Sequence, residues 1–580
     1  MSPKIDVITS EVVLNACLSL TEEMSVALVR SAYSTNIKER RDCSCALFDS
    51  RGRLAALAEN IPVHLGSMQG LMTEVRRDLK KWSLRPGDVI MANDPFLGGG
   101  SHLPDVTLLR PVYHRDRLIA FVANIAHWAD IGGRVPGGGT AGDSTEIFQE
   151  GLRIPPLKIM KGNLLQKDIL SFILSNVRNT QEREGDLRAQ LSALQLGEQR
   201  LKALCREYGE AGFNKVTNAL LEYSERWLRG ELRNIPPGVF SFEDVMDDDG
   251  VGYEPLPIKV GVTVRHRARP GITFDFTGTS PQARGGINMV VQALRATVNY
   301  AVKAIIAPDV PINEGFERPI RIKAPLGSLV NARPPAAVGG RTDTCQRVVD
   351  TIMGALSRAV PDRVTAASNG ATTAVIFAGT QPVSGKDFVY VEALGGGMGA
   401  RAAKDGVQVH ITNTSNLPVE ALETEYPLRV LRYELVRDTG GAGRFRGGLA
   451  IRKDIQTLVP VLFSAHSDRH RVPPWGLRGG RAGKPGRFTL VSASGRSKRI
   501  KSKVSGLKLE ENDIFRIQTA GGGGFGPPGR RDAKSIQRDL RNGKISRAEA
   551  RKYHGVVLGL SGRTAVGESK TVRRGGRGKK

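Results

Sequence analysis

The sequence predicts a multidomain α+β protein, and three observations carry that prediction. At 580 residues the chain exceeds what one hydrophobic core organises, so two to four domains are expected. Residues 8–133 switch between a helical period and paired apolar runs of strand length. Further on, a Gly- and Pro-poor block gives way to short alternating runs studded with glycine clusters.

The elements follow in chain order. Residues 8–33, ITSEVVLNACLSLTEEMSVALVRSAY, set Val12, Leu14, Leu18, Met24 and Leu28 at helical spacing, with Thr9 or Ser10 as N-cap. DCSCALFDSRGRLAALAE holds two apolar runs joined by Asp49-Ser50-Arg51-Gly52, the pattern of a hairpin. LRPGDVIMANDP reads as a turn and a strand that enters three consecutive glycines, Gly98, Gly99 and Gly100. DVTLLRPVYHRDRLIAFVANIAHWAD reads as a second hairpin turning at residues 114–117, its second strand ending at His127. Residues 164–232, rich in Leu, Glu, Gln and Arg, form a helical block that closes an N-terminal region spanning 1–233. NIPPGVFSFEDVMDDDG then marks a boundary. Region 234–394 is expected to be α+β, with a strand in ITFDFTGTS and a helix in VVQALRATVNYAVKAII. In region 395–528 the clusters GGGMGA, DTGGAGRFRGG and AGGGGFGPP separate short strands and predict a β-rich region. Residues 529–580 are expected to be a basic, disordered tail.

Composition excludes several classes. A chain with 40% hydrophobic and 24% charged residues is far from the disordered class. It holds no run of 18 apolar residues, so no membrane span is predicted. Asp6, Glu11, Glu22 and Glu23 among the N-terminal apolar residues do not suit a secretory signal. Five cysteines build no disulfide framework, and Cys43-x-Cys45 alone cannot complete a zinc site. A cytoplasmic protein is expected. The net charge of +26 is concentrated at the C-terminus, where residues 530–580 carry 16 Lys and Arg against 4 Asp and Glu. Such a tail attracts anionic partners non-specifically. With no zinc finger, RNP pattern or basic zipper beside it, nucleic acid is not an expected partner.

Three segments carry metal-type residues: ERRD ending at Asp42, SHLPD from Ser101 to Asp105, and HWADIGG beginning at His127. A divalent ion takes imidazole nitrogens and carboxylate oxygens converging at about 2.0–2.2 Å, with one position open if it is to activate water. His102 and Asp105, three apart and held by Pro104, can point to one side of a turn, and His127 can approach from the adjacent hairpin. The three glycines let the backbone turn sharply and come close to a bound ligand. Spacing alone leaves hydrogen-bonded core histidines as the alternative. Other strings carry less chemistry. GGGTAGDSTEIFQEG lacks the Lys of a phosphate-binding GxxxxGK[ST] loop. Cys345 reads as structural, SAHSDRH as a loop with solvent or partner contacts, and Glu420 with Glu423 as a solvated turn.

The strings NIKERRDCSCALFD, IPVHLGSM, GDVIMANDPFLGGGSHLPDVTLL, HWADIGG, TEIFQEGLRIPP, NTSNLPVEALETEYPL and FRGG closely resemble the hydantoinase B family. Its relatives include N-methylhydantoinase and 5-oxoprolinase subunits and the acetone carboxylase alpha subunit. The resemblance spans about residues 5–528 and omits only the basic tail. It implies a two-component enzyme, in which a hydantoinase A-type partner binds ATP and phosphorylates the carbonyl oxygen of a lactam or hydantoin. This chain would then hold a divalent metal (Mn, Zn or Fe) and complete the ring opening. The implied ligands are Asp42, His102, Asp105 and His127; Cys43 stands where many relatives have Phe. By placement, Asp130 or Glu146 is expected to serve as general base or to orient water. ATP-dependent carboxylation of a ketone is the alternative activity that the same resemblance implies. The length of the chain favours the hydrolase.

Overall fold

The first strands are β1 (Cys43–Asp49), β2 (Leu54–Leu57), β3 (Val89–Ala92), β4 (Asp105–His114), β5 (Arg117–His127), β6 (Leu157–Lys161) and β7 (Leu164–Leu165). They form one antiparallel sheet in the order β2-β1-β5-β4-β3-β6-β7. This is a computed structural model that describes residues 7–58, 60–138, 142–411, 414–558 and 564–566. Both expected hairpins are present, and the second turns at Arg115 and Asp116, each with positive φ. β1 is buried at every position because helices cover both faces of the sheet. Cys43, Cys45 and Leu47 pack with Met24 and Leu28 of the helix Val7–Ser31. Ala46 and Phe48 pack with Leu65, Met68 and Met72 of the helix Pro62–Arg77. Two buried faces explain why these strands read as unbroken apolar runs instead of an alternation.

By length and composition alone, Glu11–Ser31 would pass for a membrane span. Here Val13, Cys17, Leu20, Met24 and Leu28 form a buried stripe at helical spacing. The helical block is present as Lys167–Leu174, Thr180–Tyr208 and Glu210–Arg233. It is followed by β8 (Gly238–Met246), β9 (Leu256–Arg265), β10 (Gly271–Asp275) and β11 (Ile320–Lys323), in the sheet order β11-β10-β9-β8. The helices Val291–Ile305 and Arg341–Leu356 complete this part.

The expected boundary at 233 does not separate two cores. Phe213 and Leu228 of the helical block share one hydrophobic cluster with Val260 and Phe274 of the following sheet, and that cluster runs from Val13 to Val364. A second cluster runs from Val375 to Ile517. Its strands are β12 (Ala374–Thr380), β13 (Asp387–Ala393), β14 (Leu428–Val436), β15 (Ala450–Thr457), β16 (Val461–His466), β17 (Arg487–Val491), β18 (Ser497–Ile500), β19 (Lys503–Leu509) and β20 (Ile514–Gln518). They form two sheets, β13-β12-β16-β19 and β14-β15-β20-β17-β18. The division therefore falls between Val364 and Val375, not at 394, because β12 hydrogen-bonds to β16 far along the chain. The β-rich, glycine-studded character expected of this region is present. Its glycine segments lie main chain on main chain, and a Cβ on Gly447 would collide with the carbonyl of Gly522.

Two expectations are corrected here. Residues 529–558 are not a disordered tail: the helices Ala533–Arg541 and Arg547–His554 are capped by Asp532 and Ser546, which accept from Ser535 N and Glu549 N. Buried Arg531 pairs with Asp405 at 2.7 Å and Asp539 at 2.6 Å, so part of the basic charge is neutralised within the fold. Residues 567–580 lie outside the described residues. SAHSDRH is likewise no solvent loop. Asp468 accepts from Arg347 at 2.6 Å and Lys503 at 3.0 Å, and Arg469 bridges Asp244 and Asp350 at 2.8 Å each, all buried where the two cores meet.

That burial makes stability pH-dependent. Burial first, then Lys503, pushes His470 from 6.5 down to about 3, so the unfolded imidazole binds a proton that the folded one refuses. Stability is complete above about pH 6.5 and falls as pH drops toward 3, by at most about 1.4 kcal/mol per pH unit from this group. Urea unfolding of wild type and His470→Gln across that window checks it. The variant is expected to show the shallower slope.

Candidate metal centre

Strand register assembles the centre. Asp105 pairs directly with His127 across β4 and β5, and Cys43 pairs with Ala126 across β1 and β5. His127 N also donates to Asp42 O at 3.0 Å. Asp42, His127 and Asp105 thus stand in one row across three adjacent strand ends, where cross-strand neighbours share a face. His102 comes from the loop before β4. The three glycines shape that loop by close approach to protein backbone: a Cβ on Gly98 would lie 2.5 Å from Gly70 O, and one on Gly100 2.7 Å from Asn93 O. The role expected for them, approach to a ligand, is filled instead by tight packing under the loop.

One ligand atom each from His102, Asp105 and His127 lies within 4.8 Å of the others. Neighbouring ligands at about 2.1 Å from one ion stand about 3.0–3.4 Å apart, the separation that His102 Nε2 and Asp105 Oδ1 already have at 3.1 Å. Asp42 joins through His64, whose Nε2 lies 3.5 Å from Asp42 Oδ1 and 3.6 Å from Asp105 Oδ1. Of the four residues implied by the resemblance, His102, Asp105 and His127 converge, while Asp42 lies outside that group of three and lines the same cavity. His64 was not singled out by sequence reasoning. It sits in the first turn of the helix Pro62–Arg77, inside the string IPVHLGSM, with Nδ1 3.1 Å from Ser44 Oγ. Its only signal was a histidine in an otherwise apolar helix start.

A second layer holds these groups. Arg341 donates to Asp105 Oδ2 and to Ser101 Oγ, each at 2.9 Å, and Ser101 donates to the same carboxylate oxygen at 2.7 Å. Asn36 donates to His127 O at 2.7 Å and lies 2.9 Å from its Nδ1; Arg40 in turn holds Asn36 Oδ1. Burial would raise the Asp105 carboxyl, but His102 and Arg341 outweigh it and hold it well below the usual range. Burial pushes His127 down to about 3 against the pull of Asp42, which leaves the imidazole neutral. Two imidazoles with two carboxylates form a borderline N/O donor set that fits Mn, Fe or Zn.

Asp130 and Glu146 are not brought to this cluster. Asp130 Oδ1 accepts from Gly132 N and Arg178 N, and Oδ2 from Gly137 N and the Arg178 guanidinium. With four donors it staples the glycine loop and has no capacity left for water. Glu146 is the N-cap residue of the short 3₁₀ turn Ile147–Gln149. Neither borders the cavity on which the cluster opens.

That cavity measures about 150 Å³ and is walled by both cores: Tyr300, Arg341 and Cys345 come from the first, and Val391, His410 and His466 from the second. Burial raises the Cys345 thiol, so it is inert wall, as its sequence suggested. Glu420 and Glu423 lie on the exposed helix Val419–Glu425, away from the cavity.

A buried His/carboxylate cluster thus opens on a small cavity between the two cores of a multidomain α+β fold and forms a candidate metal centre. The chain belongs to the hydantoinase B/oxoprolinase family, whose model matches residues 6–528. It is 39% identical over 559 residues to an uncharacterized protein of Methanocaldococcus jannaschii, covering 95% of this chain and 96% of that one. It is 32% identical to a putative D-/L-hydantoinase component of the B type from a Pseudomonas species, covering 96% of each. It is 34% identical to 5-oxoprolinase 1 of Arabidopsis thaliana, covering 90% of this chain but only 42% of that longer protein. Among solved structures, the ATP-dependent caprolactamase of Pseudomonas jessenii superposes with a TM-score of 0.89 at 29% identity, covering 97% of this chain and 98% of that one. Acetone carboxylase superposes with a TM-score of 0.88 at 18% identity, covering 97% and 81%, a likeness of fold alone.

Proposed function

We propose that this chain is the ring-opening component of an ATP-dependent cyclic amide hydrolase of the hydantoinase/5-oxoprolinase type. The observation that carries this reading is the cluster of His102, Asp105 and His127 on the wall of a cavity of about 150 Å³. That volume is well below the roughly 300–1,000 Å³ of drug-sized sites, which suits a small ring. The relatives named as D-/L-hydantoinase and caprolactamase, matched over nearly their whole lengths, support the substrate class.

A cyclic amide resists attack because its nitrogen donates into the carbonyl. ATP-driven phosphorylation of the carbonyl oxygen on an A-type partner would remove that resistance. The 5-oxoprolinase relatives, of which this chain spans 40–42%, have length to spare for such a partner function. A divalent ion held by Asp42, His102, Asp105 and His127 would supply Lewis acidity and a lowered pKa for bound water. Arg341 keeps Asp105 ionised and aimed, and Asn36 fixes the His127 ring. Val63, Val349 and Val391 in the cavity wall keep bulk water from the activated carbonyl. The five described cysteines are buried free thiols, in keeping with a cytoplasmic location.

The test is to purify this chain with its A-type partner. Hydantoin, N-methylhydantoin, 5-oxoproline, caprolactam and acetone are then assayed in parallel, with and without bicarbonate. Expected is ring opening coupled to ATP hydrolysis and abolished by chelation. Bicarbonate-dependent consumption of acetone with no cyclic amide opened overturns the reading in favour of a carboxylase.

A further inference from the structure

The same cavity is bordered by His466, outside the metal cluster, and His466 is paired with Asp343. Asp343 lies in the first turn of the helix Arg341–Leu356, and His466 ends β16, so each core contributes one. Both are buried, at 0% and 2% exposure. Asp343 Oδ2 is 2.8 Å from His466 Nδ1, and its Oδ1 accepts from Thr372 N at 2.9 Å. A carboxylate oxygen only accepts, so Nδ1 carries the imidazole proton and the lone pair of the neutral ring sits on Nε2. His466 lines the cavity, and Nε2 is the nitrogen left to serve it. The helical turn that carries Asp343 also carries Arg341, which grips Asp105. One rigid turn therefore registers this pair against the metal cluster.

We propose, resting on the cyclic amide reading, that His466 is the proton carrier of ring opening and Asp343 its positioning residue. As the oxygen of water bonds to the carbonyl carbon, one water proton passes to His466 Nε2. As the ring C–N bond breaks, its electron pair goes to nitrogen and the same proton passes from Nε2 to that nitrogen. The imidazole returns neutral, water has been added across the C–N bond, and the acyl phosphate that remains is cleaved by a second water to the carboxylate and inorganic phosphate. Asp343 remains ionised throughout and stabilises the transient imidazolium.

The test uses the complex with the A-type partner. His466→Ala is expected to lower kcat for ring opening by about 100-fold or more, with bound metal and partner assembly unchanged, and added imidazole is expected to restore part of the rate. Asp343→Asn is expected to lower kcat while KM stays near wild type. A His466→Ala enzyme with wild-type kcat, or a folded one that imidazole does not rescue, overturns the proposal. A second measurement is independent of activity. With nine histidines in the chain, the ¹⁵N imidazole signals of His466 are assigned by comparison with His466→Gln. They are expected to report the Nδ1-protonated tautomer, lost in Asp343→Asn, and an Nε2-protonated ring overturns the proposal. Wild type that opens no cyclic amide, yet shows the Nδ1-protonated ring, refutes the function and leaves the pair standing.

Discussion

His127→Ala is expected to abolish metal retention and cyclic amide turnover while the chain still folds and assembles. His127 stands between Asp42 and Asp105 in the row of strand ends, so its loss removes a nitrogen donor and the middle of the cluster together. Removing an outer-shell partner of a metal ligand already costs 10–100-fold in affinity, so loss of a ligand costs about 100-fold or more. Folding survives because β4 and β5 are held by backbone pairing along their length, and the truncated ring sits at a strand end. Metal analysis of the dialysed variant, beside its ATP-coupled turnover, makes the check. Full metal content would show that the ligand assignment is wrong.

Lys453→Met is expected to lower stability by about 3–5 kcal/mol, the cost of leaving a buried charge without its partner. Lys453 in β15 and Glu392 in β13 are both 0% exposed, and Nζ reaches both carboxylate oxygens at 2.8 Å. The pair ties together the two sheets of the second core, beside the Tyr433 ring at 5.1 Å. Removing only the ammonium strands the carboxylate in an apolar setting. Removing both charges, as in Lys453→Met with Glu392→Leu, is expected to recover most of the loss, because a packed apolar pair replaces two desolvated ions at little net cost. Urea midpoints of the three proteins decide it. A single variant within about 1 kcal/mol of wild type, or a double variant no better than the single one, would show that the pair is not closed off from solvent.

Much of the secondary structure was legible, because helix and hairpin signals are carried by near neighbours. The helix at Val7–Ser31, the two hairpins, the strand end at His127 and the block around Thr180–Tyr208 all follow from periodicity and turn residues. The division between cores was not legible. β12 reads as an isolated apolar strand until its pairing with β16 is known, and no local signal announces that partner. Composition also misread residues 529–558. Lys and Arg counts cannot show that Arg531 meets Asp405, more than a hundred residues earlier, in a buried pair.

The centre divides in the same way. Asp42, His102, Asp105 and His127 were identified from their strings, and glycine, proline and strand signals around them place each at an element end. Chain order alone determined that these donors would be presented at strand and loop termini. Which groups support them was decided only by the tertiary structure. His64 arrives on a helix packed over the sheet, Arg341 and Asp343 on a helix some 200 residues further on, and His466 on a strand of the other core. Asp130, adjacent to the cluster in sequence, turned out to be consumed by four donors, two from its own loop and two from Arg178. The physical reason is range. Backbone propensity and side-chain periodicity act over a few residues, whereas a buried carboxylate or imidazole takes its partner from whatever strand register and core packing bring within about 3 Å.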